Sequence, residues 1–483
     1  MRTRNIITAL VLVGGMMLQS CDDFLDVRPK SEKLESDLFA NAQGYESAIY
    51  GVYGSMTSTR LYGREMTWGL TDLMAQDFDQ NNTASRALER YQYTTNSDLQ
   101  TRFSNLWSQA YTCIGYANNV LANLEGKSEA DLPLYNLYKG EMLGVRAMIH
   151  FDLLRFFSST DENARGIPYT TTYSQTIHEF KKVGEVYDLI LADLHEAETL
   201  LQSEAADIKY PRDNSLYYKF QNYRESHLNY YGVLALTARV YWMRGDMANA
   251  AKYARMVIDS GKFPLADVSE IQDLFAGKLS SKETVFGLYS TSYVETATTY
   301  LYNYDTYGSY NPYTDESGKK HLLPYTAVYQ QDVDATTQDY RLTHFKTGAG
   351  YARYLKNVDY HSIENSTSTA WDERISGINL IHVSEMYLIA AEALLDTDYE
   401  TALAYYNTET SSRGLTPLRG ETRLTHDMIY NEYHKEMFGD GQVWFNMKRL
   451  KKDIQSNLDS RVIPASDDVY VVPVPQTEYD YRN

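Results

Sequence analysis

The sequence predicts a mainly α-helical fold, in which long loops and a few short strands project from a scaffold of paired helices. Three observations predict it. Apolar residues recur every three or four positions in several stretches, short turns containing Gly or Asp separate those stretches into pairs, and one mid-chain region of dense aromatic residues lacks any helical period. A chain of 483 residues, 43% of them hydrophobic, can bury the core that such a scaffold needs.

The clearest helix pair is predicted over 228–265. The first helix ends at Gly245 and Asp246, a second helix follows over 247–260, and Gly261 stops it. The first helix has one apolar face, formed by Leu228, Tyr231, Leu234, Ala235, Ala238 and Trp242. Two helices joined by a tight turn, the second rich in alanine, resemble one tetratricopeptide unit, whose repeat is about 34 residues long.

The same pattern recurs over 381–414, where Asp396-Thr397-Asp398 separates two apolar helix faces. Two helices of weaker periodicity, over 142–157 and 186–201, give a third predicted pair near 142–201. Because the three pairs are not contiguous, we predict tetratricopeptide-like pairs but not a regular repeat array.

Long loops with short strands are predicted between about residues 275 and 376, because Asn, Gly and Pro interrupt every helical period there. Tyr accounts for 44 residues of the chain, against 15 Phe and 5 Trp, and is dense at the start of this region. A Tyr side chain offers a flat apolar face and a polar tip, which suit the C–H faces and the hydroxyl groups of a sugar. The same rings also serve to pack loops onto a scaffold. The region as a whole, rather than any single Tyr, is therefore the candidate binding region.

Charge and motif content narrow the classes of function. The chain has 45 Lys and Arg against 64 Asp and Glu, so its net charge of −19 argues against a nucleic-acid partner. The ten His show none of the spacings typical of metal sites, and phosphate-loop and dinucleotide-binding motifs are absent, so we predict no cofactor. Glycoside hydrolysis needs only two carboxylates at a suitable separation, so a surface glycoside hydrolase stays open as an alternative.

One acidic segment partly matches a calcium-binding loop. Asp77, Asp79 and Asn81 fit the first three ligand positions, but the sixth position is Asn82 instead of Gly and the twelfth is Leu88 instead of Glu. The full loop is therefore excluded. A looser structural calcium site and a polar loop built from Asx turns both stay open.

Residues 1–20 are predicted to be a secretory signal, since two arginines precede an apolar run over 6–18 that is too short for a normal membrane span. The run ends in Leu18-Gln19-Ser20-Cys21, which resembles a lipobox, the site at which a bacterial cysteine is lipidated and becomes residue one of the mature protein. We therefore predict lipidation of Cys21 and a membrane anchor there, with an ordinary signal peptide as the alternative. Cys113 is then the only other thiol, and we expect it in the core.

Several motifs then follow one another along the chain. An acidic Phe-Leu segment and a Pro follow the lipobox Cys, over 21–29. The further motifs are an aromatic helix over 36–53, Trp107 to Leu121, Gly144 to Arg155, Ser384 to Leu394, Trp444 to Arg449, and Val472 to Glu478. Their order and spacing resemble the SusD/RagB-like family of outer-membrane nutrient-uptake lipoproteins of Bacteroidota. We expect Trp444 and Phe445 to pack the C-terminal helices together rather than to form a site.

The resemblance implies one SusD-like domain over 21–483 that is not an enzyme. It implies a lipid-anchored protein on the outer membrane, facing the cell exterior, with a SusC-like TonB-dependent β-barrel transporter as its partner. Such a protein captures oligosaccharides, or in some members peptides, and delivers them to the barrel. A peptide-capturing lid of the same fold is thus one alternative, and an adaptor facing the periplasm is another.

The resemblance also implies where the ligand contacts lie, because in the family they come from loops after the first helices and from the mid-chain insertion. The candidates from the first loops are Trp68, Asp79, Asn81, Tyr91 and Tyr93. The candidates from the insertion are Tyr300, Tyr302, Tyr304, Tyr307 and Tyr310. They are predicted by position, since no motif fixes individual ligand residues, and no catalytic residue is predicted.

Overall fold

The computed structural model of this protein describes residues 35–78, 83–174, 176–270, 279, 281–303, 328–329, 339–348, 351–358, 377–456 and 461–480. The chain divides into two compact units, residues 1–45 and 46–483. Helices dominate the described residues and the strands are short, which confirms the predicted fold class.

The helices follow one another along most of the described chain. The α-helices are α1 (Glu35–Leu38), α2 (Ala42–Met56), α3 (Leu70–Met74), α4 (Thr83–Glu89), α5 (Ser97–Leu124), α6 (Tyr135–Phe157), α7 (Val183–Leu201), α8 (Tyr230–Arg244), α9 (Met247–Ile258), α10 (Tyr293–Ala297), α11 (Val383–Leu394), α12 (Tyr399–Ser412), α13 (His426–Met437), α14 (Val443–Leu450), α15 (Asp467–Tyr470) and α16 (Thr477–Asp480). Short 3₁₀ helices cover Gln202–Ala206, Lys219–Gln221, Arg224–Ser226 and Tyr340–His344, and a π-helical turn covers Thr298–Asn303.

The described strands form four antiparallel two-stranded pairs, β1 with β2, β3 with β6, β4 with β5 and β7 with β8. They are β1 (Arg165–Pro168), β2 (Phe180–Lys182), β3 (Thr284–Tyr289), β4 (Phe345–Gly348), β5 (Tyr351–Tyr354), β6 (Gly377–His382), β7 (Ile454–Gln455) and β8 (Val462–Ile463).

Consecutive helices pack side by side to form the scaffold, from α5 through α6, α7 and α8 to α9. The turn between α8 and α9 shows why the chain folds back. Gly245 ends α8 in the left-handed conformation, at φ 92°, which Gly adopts without steric cost. The Asp246 side chain then accepts a hydrogen bond from the Asn249 N–H, at 3.1 Å, and caps α9. This pair occupies the range predicted from its Gly-Asp turn.

The scaffold continues across the mid-chain insertion, because α9 packs against α11, which in turn packs against α12. Strands β3 and β6 pair at the two ends of the insertion, with Phe286 opposite Ile381 and Leu288 opposite Ile378. The insertion contains short strands, as predicted, but also α10 and a π-helical turn where only loops and strands were expected. The reason is a helical spacing of buried residues, Val294, Ala297 and Leu301, hidden among the tyrosines.

Several residues of these motifs lie in the interior and bond to buried partners. Arg146 of α6 donates to both carboxylate oxygens of Asp193 in α7, at 2.7 Å each. Lys448 of α14 is buried and donates to the main-chain oxygens of Arg155 and Ser158. The contacts of Lys448 tie α14 to α6, so motif residues hold helices of the scaffold together.

Trp444 and Phe445 are buried in the same region, with 0% and 1% of their surface exposed, which confirms that they pack. Arg449 donates to both carboxylate oxygens of Glu392 in α11, at 2.7 and 2.8 Å. Cys113 is a buried free thiol, as predicted.

Candidate ligand-binding site

Two of the sequence-predicted contacts come together in space. The ring centroids of Trp68 and Tyr300 are 5.9 Å apart, and the Arg64 guanidinium lies 5.3 Å from the centroid of the Tyr300 ring. Trp68 is fully buried, whereas Tyr300 is half-buried. Of this pair, only Tyr300 therefore has surface available for a ligand.

Tyr91 and Tyr93 lie in the core instead of on a ligand-binding loop. Tyr91 stacks on Trp444, with centroids 5.8 Å apart and planes 11° apart, and its hydroxyl donates to the Met74 main-chain oxygen at 2.7 Å. The Tyr93 hydroxyl donates to the Val469 main-chain oxygen, and only 5% of the residue is exposed. Because both rings pack and both hydroxyls are bonded to the backbone, we remove them from the candidate site.

The remaining predicted residues lie outside the described part of the chain, namely Cys21, Asp79, Asn81, Tyr304, Tyr307 and Tyr310. Of Tyr302 only the backbone is described, within the π-helical turn. Asp77, the first residue of the calcium-like segment, is buried and accepts from His434 Nε2 at 2.6 Å. Within the described ranges, no group of three His, Cys, Asp or Glu is arranged to hold a metal ion.

A concave surface of about 530 Å³ lies elsewhere, and we call it the tyrosine groove. It is lined by Tyr50, Tyr53, Gly54, Lys219, Asn222, Tyr223, Ser226, His227 and Tyr289. The lining residues come from α2, from the chain around the 3₁₀ helices over 219–226, and from the end of β3. Three of the rings are about half exposed, at 48% for Tyr50, 48% for Tyr223 and 57% for Tyr289.

The floor of the groove is held by a buried ionic group. The Tyr53 hydroxyl donates to a Glu141 carboxylate oxygen at 2.7 Å and accepts from the Leu228 N–H at 2.9 Å. His227 Nδ1 lies 3.0 Å from the same Glu141 oxygen, and Arg224 Nη1 donates to the other oxygen at 2.6 Å. Burial alone would raise the pKa of Glu141, but Arg224 and His227 together hold that pKa below its ordinary value. Glu141 is therefore ionised and keeps the floor in place.

The Tyr50 hydroxyl stays neutral over the physiological range. Burial, followed by the negative charges of Glu141 and Glu46, raises the pKa of Tyr50 to about 12. A neutral phenol can both donate and accept a hydrogen bond, which matches the hydroxyl groups of a sugar. The His227 ring presents its edge to Tyr50 at 5.5 Å and to Tyr53 at 5.3 Å, measured between ring centroids, and so fixes their spacing.

Tyr223 reaches the groove from an unusual backbone conformation. Its φ of 54° and ψ of 43° are left-handed, which costs a non-Gly residue about 1–2 kcal/mol. The Tyr223 N–H donates to Asn214 Oδ1 at 2.7 Å, and the next residue, Arg224, is buried between Glu141 and Glu204. Neighbouring contacts therefore hold Tyr223 in a conformation that it would not adopt alone, as at many binding sites.

The sequence reasoning did not single out this groove. Its rings come from three segments far apart in the chain, and only their proximity in the fold makes a site. One signal was present, because 210–231 contains six tyrosines: Tyr210, Tyr217, Tyr218, Tyr223, Tyr230 and Tyr231. Tyr289 belongs to the predicted tyrosine-rich region but is not one of the five tyrosines predicted from the insertion.

Comparisons with known proteins agree with this fold. The family model SusD-like_3, described as "Starch-binding associating with outer membrane", matches residues 23–216. SusD-like protein P2 of Formosa agariphila is 25% identical over 495 aligned residues, covering 92% of this chain and 90% of that protein. SusD-like protein P38 of the same organism is 25% identical over 230 residues, covering 45% of this chain and 42% of that protein.

Solved structures share the fold over nearly their whole length. A SusD superfamily protein from Bacteroides thetaiotaomicron has a TM-score of 0.71 and 23% identity, with 91% of this chain and 98% of that chain covered. A putative sugar binding protein from Bacteroides vulgatus has a TM-score of 0.69 and 20% identity, with 91% and 96% covered. The fold is that of the SusD superfamily. Together with the sequence matches, it confirms the predicted resemblance to the SusD-like family.

The family description places these proteins in association with the outer membrane. Within the described residues, no helix has both the length and the apolar character that a membrane span requires.

Proposed function

We propose that this SusD-like protein captures oligosaccharides in the tyrosine groove without cleaving them. The observation that carries the proposal is the groove itself, with three half-exposed Tyr rings around about 530 Å³ of concave space. This volume falls within the range of about 300–1,000 Å³ typical of small-ligand sites. Asn222, Ser226, Lys219 and His227 add hydrogen-bonding groups between the rings, as a sugar edge needs.

The lining chemistry favours binding over hydrolysis. Glycosidases use two carboxyl groups that flank the scissile bond. None of the described residues that line the groove is Asp or Glu, and Glu141 beneath it is bonded to Arg224, His227 and Tyr53. The related solved structure described as a sugar binding protein supports the same class of ligand.

We further propose that the captured oligosaccharide is delivered to a SusC-like TonB-dependent barrel at the cell surface, with the protein held by lipid at Cys21. The outer-membrane description of the matching family and the lipobox-like sequence before Cys21 support this placement. Replacement by Cys21→Ser should abolish incorporation of labelled palmitate. Wild-type protein should be removed by protease from intact cells and should co-purify with the barrel. Protection from the protease would favour the periplasmic adaptor instead.

Calorimetry tests capture directly. The mature chain is titrated with maltoheptaose, cellohexaose, xylohexaose and laminarihexaose, and with tri- to hexapeptides. We expect binding to at least one oligosaccharide, and about tenfold weaker affinity in Tyr223→Ala and Tyr289→Ala, since one aromatic contact contributes up to about 1.5 kcal/mol and about 1.4 kcal/mol corresponds to a factor of ten. Tyr217→Ala is the matched control, because Tyr217 is 90% exposed and does not line the groove.

Two results would refute capture without cleavage. Binding of the peptides alone would identify a peptide-capturing lid. Shortened oligosaccharides after incubation with the protein, detected by chromatography, would identify a glycoside hydrolase.

A further inference from the structure

A second concave surface, of about 470 Å³, lies between α5 and the chain that follows β1, and we call it the threonine cleft. Trp107 and Tyr111 of α5 line one side. Thr170, Thr172 and Tyr173 line the other, together with Ser174, Thr176 and Ile177. The cleft is completed by His178 and by Glu478 of α16.

The threonine cleft and the tyrosine groove are separate sites. Trp107 and Tyr111 are four residues apart and therefore lie on one side of α5. Gln109 and Cys113, each two residues further on, point to the opposite side, about 200° round the helix. There Gln109 Nε2 donates to the Ser55 main-chain oxygen at 3.0 Å, at the end of the helix that carries Tyr50 and Tyr53. Helix α5 thus stands between the two surfaces.

The loop that carries the hydroxyl groups is fixed from behind by buried side chains. Asn118 Nδ2 donates to the Thr170 main-chain oxygen at 3.0 Å, and the Thr170 N–H donates to His150 Nε2 at 3.0 Å. Asn118 and His150 are 1% and 0% exposed. The Tyr111 hydroxyl also donates to the Pro168 main-chain oxygen at 2.7 Å. A lining loop held in this way is pre-organised, so little entropy is lost when a ligand binds.

The lining groups match a neutral sugar. The Tyr173 ring is 54% exposed and can stack on a sugar face. Thr172 Oγ1 lies 3.3 Å from Ser174 Oγ and 3.4 Å from His178 Nε2, so hydroxyl and imidazole groups are grouped at the same wall. The Glu478 carboxylate accepts hydrogen bonds from hydroxyl groups. Among the described lining residues there is no Lys or Arg that would neutralise an acidic sugar.

We propose that the threonine cleft is a second oligosaccharide subsite, for uncharged sugars, on the side of α5 away from the groove. The proposal rests on the proposed function, since it assumes that the protein binds oligosaccharides. Two subsites on one scaffold allow a long polysaccharide to be held at two points. Its overall affinity then exceeds the affinity of either subsite alone.

Calorimetric stoichiometry tests the second subsite on the mature chain, with the same four neutral oligosaccharides as probes. We expect two equivalents of the bound oligosaccharide per wild-type chain. Tyr173→Ala should weaken the cleft site about tenfold and leave the groove site unchanged, Tyr223→Ala should do the reverse, and the double variant should weaken both sites. Glu478→Gln should weaken the cleft site about tenfold. Tyr116→Ala is the matched control, since Tyr116 is 46% exposed on the same helix but does not line the cleft.

The outcomes separate the two proposals. One equivalent in the wild type, weakened by Tyr223→Ala and unchanged by Tyr173→Ala, would overturn the second subsite and leave the proposed function intact. No binding of any of the four oligosaccharides would overturn both. Thermal unfolding of each variant, with a midpoint within a few degrees of the wild type, confirms that weaker binding reflects a lost contact at the site and not loss of the fold.

Discussion

The helix scaffold and the tyrosine groove hold their side chains in different ways. The scaffold buries charged groups against one another, whereas the groove exposes aromatic rings. In the scaffold, Arg413 has no exposed surface and donates to Glu283 and Glu436 over 2.6 to 3.0 Å. In the groove, the rings of Tyr223 and Tyr289 are about half exposed. The scaffold therefore fixes its side chains against one another, whereas the groove holds its backbone and leaves ring faces available.

This difference explains what the family resemblance can transfer. Arg146, Arg155 and Lys448 belong to the motifs and make buried contacts within the scaffold. Tyr50 and Tyr53 of the groove lie in the aromatic-helix motif over 36–53, whereas Tyr223 and Tyr289 lie outside every motif. A chain can therefore keep the motifs, and with them the fold, while the part of the groove outside them changes to suit another ligand.

The largest expected effect tests the scaffold. Arg413→Met leaves the buried carboxylates of Glu283 and Glu436 without their shared partner, and breaking a buried pair in this way costs about 3–5 kcal/mol. We expect the free energy of unfolding, measured by denaturant titration, to fall by that amount. The Arg244→Met variant is the control, because Arg244 pairs with Glu162 and Asp188 at the surface. Its cost should be about 1 kcal/mol or less, and equal losses in the two variants would contradict the comparison.

The next effect concerns His150, which bonds to Thr170 behind the threonine cleft, and the pH dependence of stability that this buried ring causes. Burial lowers the pKa of His150 to about 3, from an ordinary 6.5, so the folded protein keeps this ring neutral. Between these two values the unfolded chain binds the extra proton, and stability therefore falls as the pH falls through this window. From pH 7 to pH 5 the loss assigned to His150 is about 2 kcal/mol.

Denaturant titrations at pH 5, 6 and 7 measure the free energy of unfolding of the wild type and of His150→Gln. The difference between their pH dependences gives the contribution of His150. His150→Gln cannot titrate, so its stability should decrease less over this range than that of the wild type. His426→Gln is the control, because His426 is exposed and pairs with the exposed Asp396. Parallel pH curves for wild type and His150→Gln would show that the ring is not held neutral.

The sequence predicts those parts of the fold whose signals are local. The α8–α9 turn could be predicted because Gly245 and Asp246 carry their own conformational and capping preferences. Helix α10 could not, because the surrounding tyrosines obscured the spacing of its few buried residues.

The site was harder to predict because exposure is a tertiary property. Tyr91 stacks on Trp444, from a segment more than 350 residues away, whereas Tyr50 stays half exposed. Only the packing of distant elements separates a core ring from an exposed ring. Composition predicted a tyrosine-lined site, but could not indicate which tyrosines stay exposed.

The smallest expected effect concerns Tyr223, where one substitution should raise stability and weaken ligand binding. Tyr223→Gly removes both the ring and the strain of a left-handed non-Gly backbone, at φ 54°. We expect the free energy of unfolding to rise by up to about 1 kcal/mol, while oligosaccharide affinity falls about tenfold, as in Tyr223→Ala. Tyr217→Gly, at an exposed position outside the groove, should leave affinity unchanged. A variant that is stabilised and also binds as well as the wild type would show that Tyr223 is strained for a reason other than the ligand.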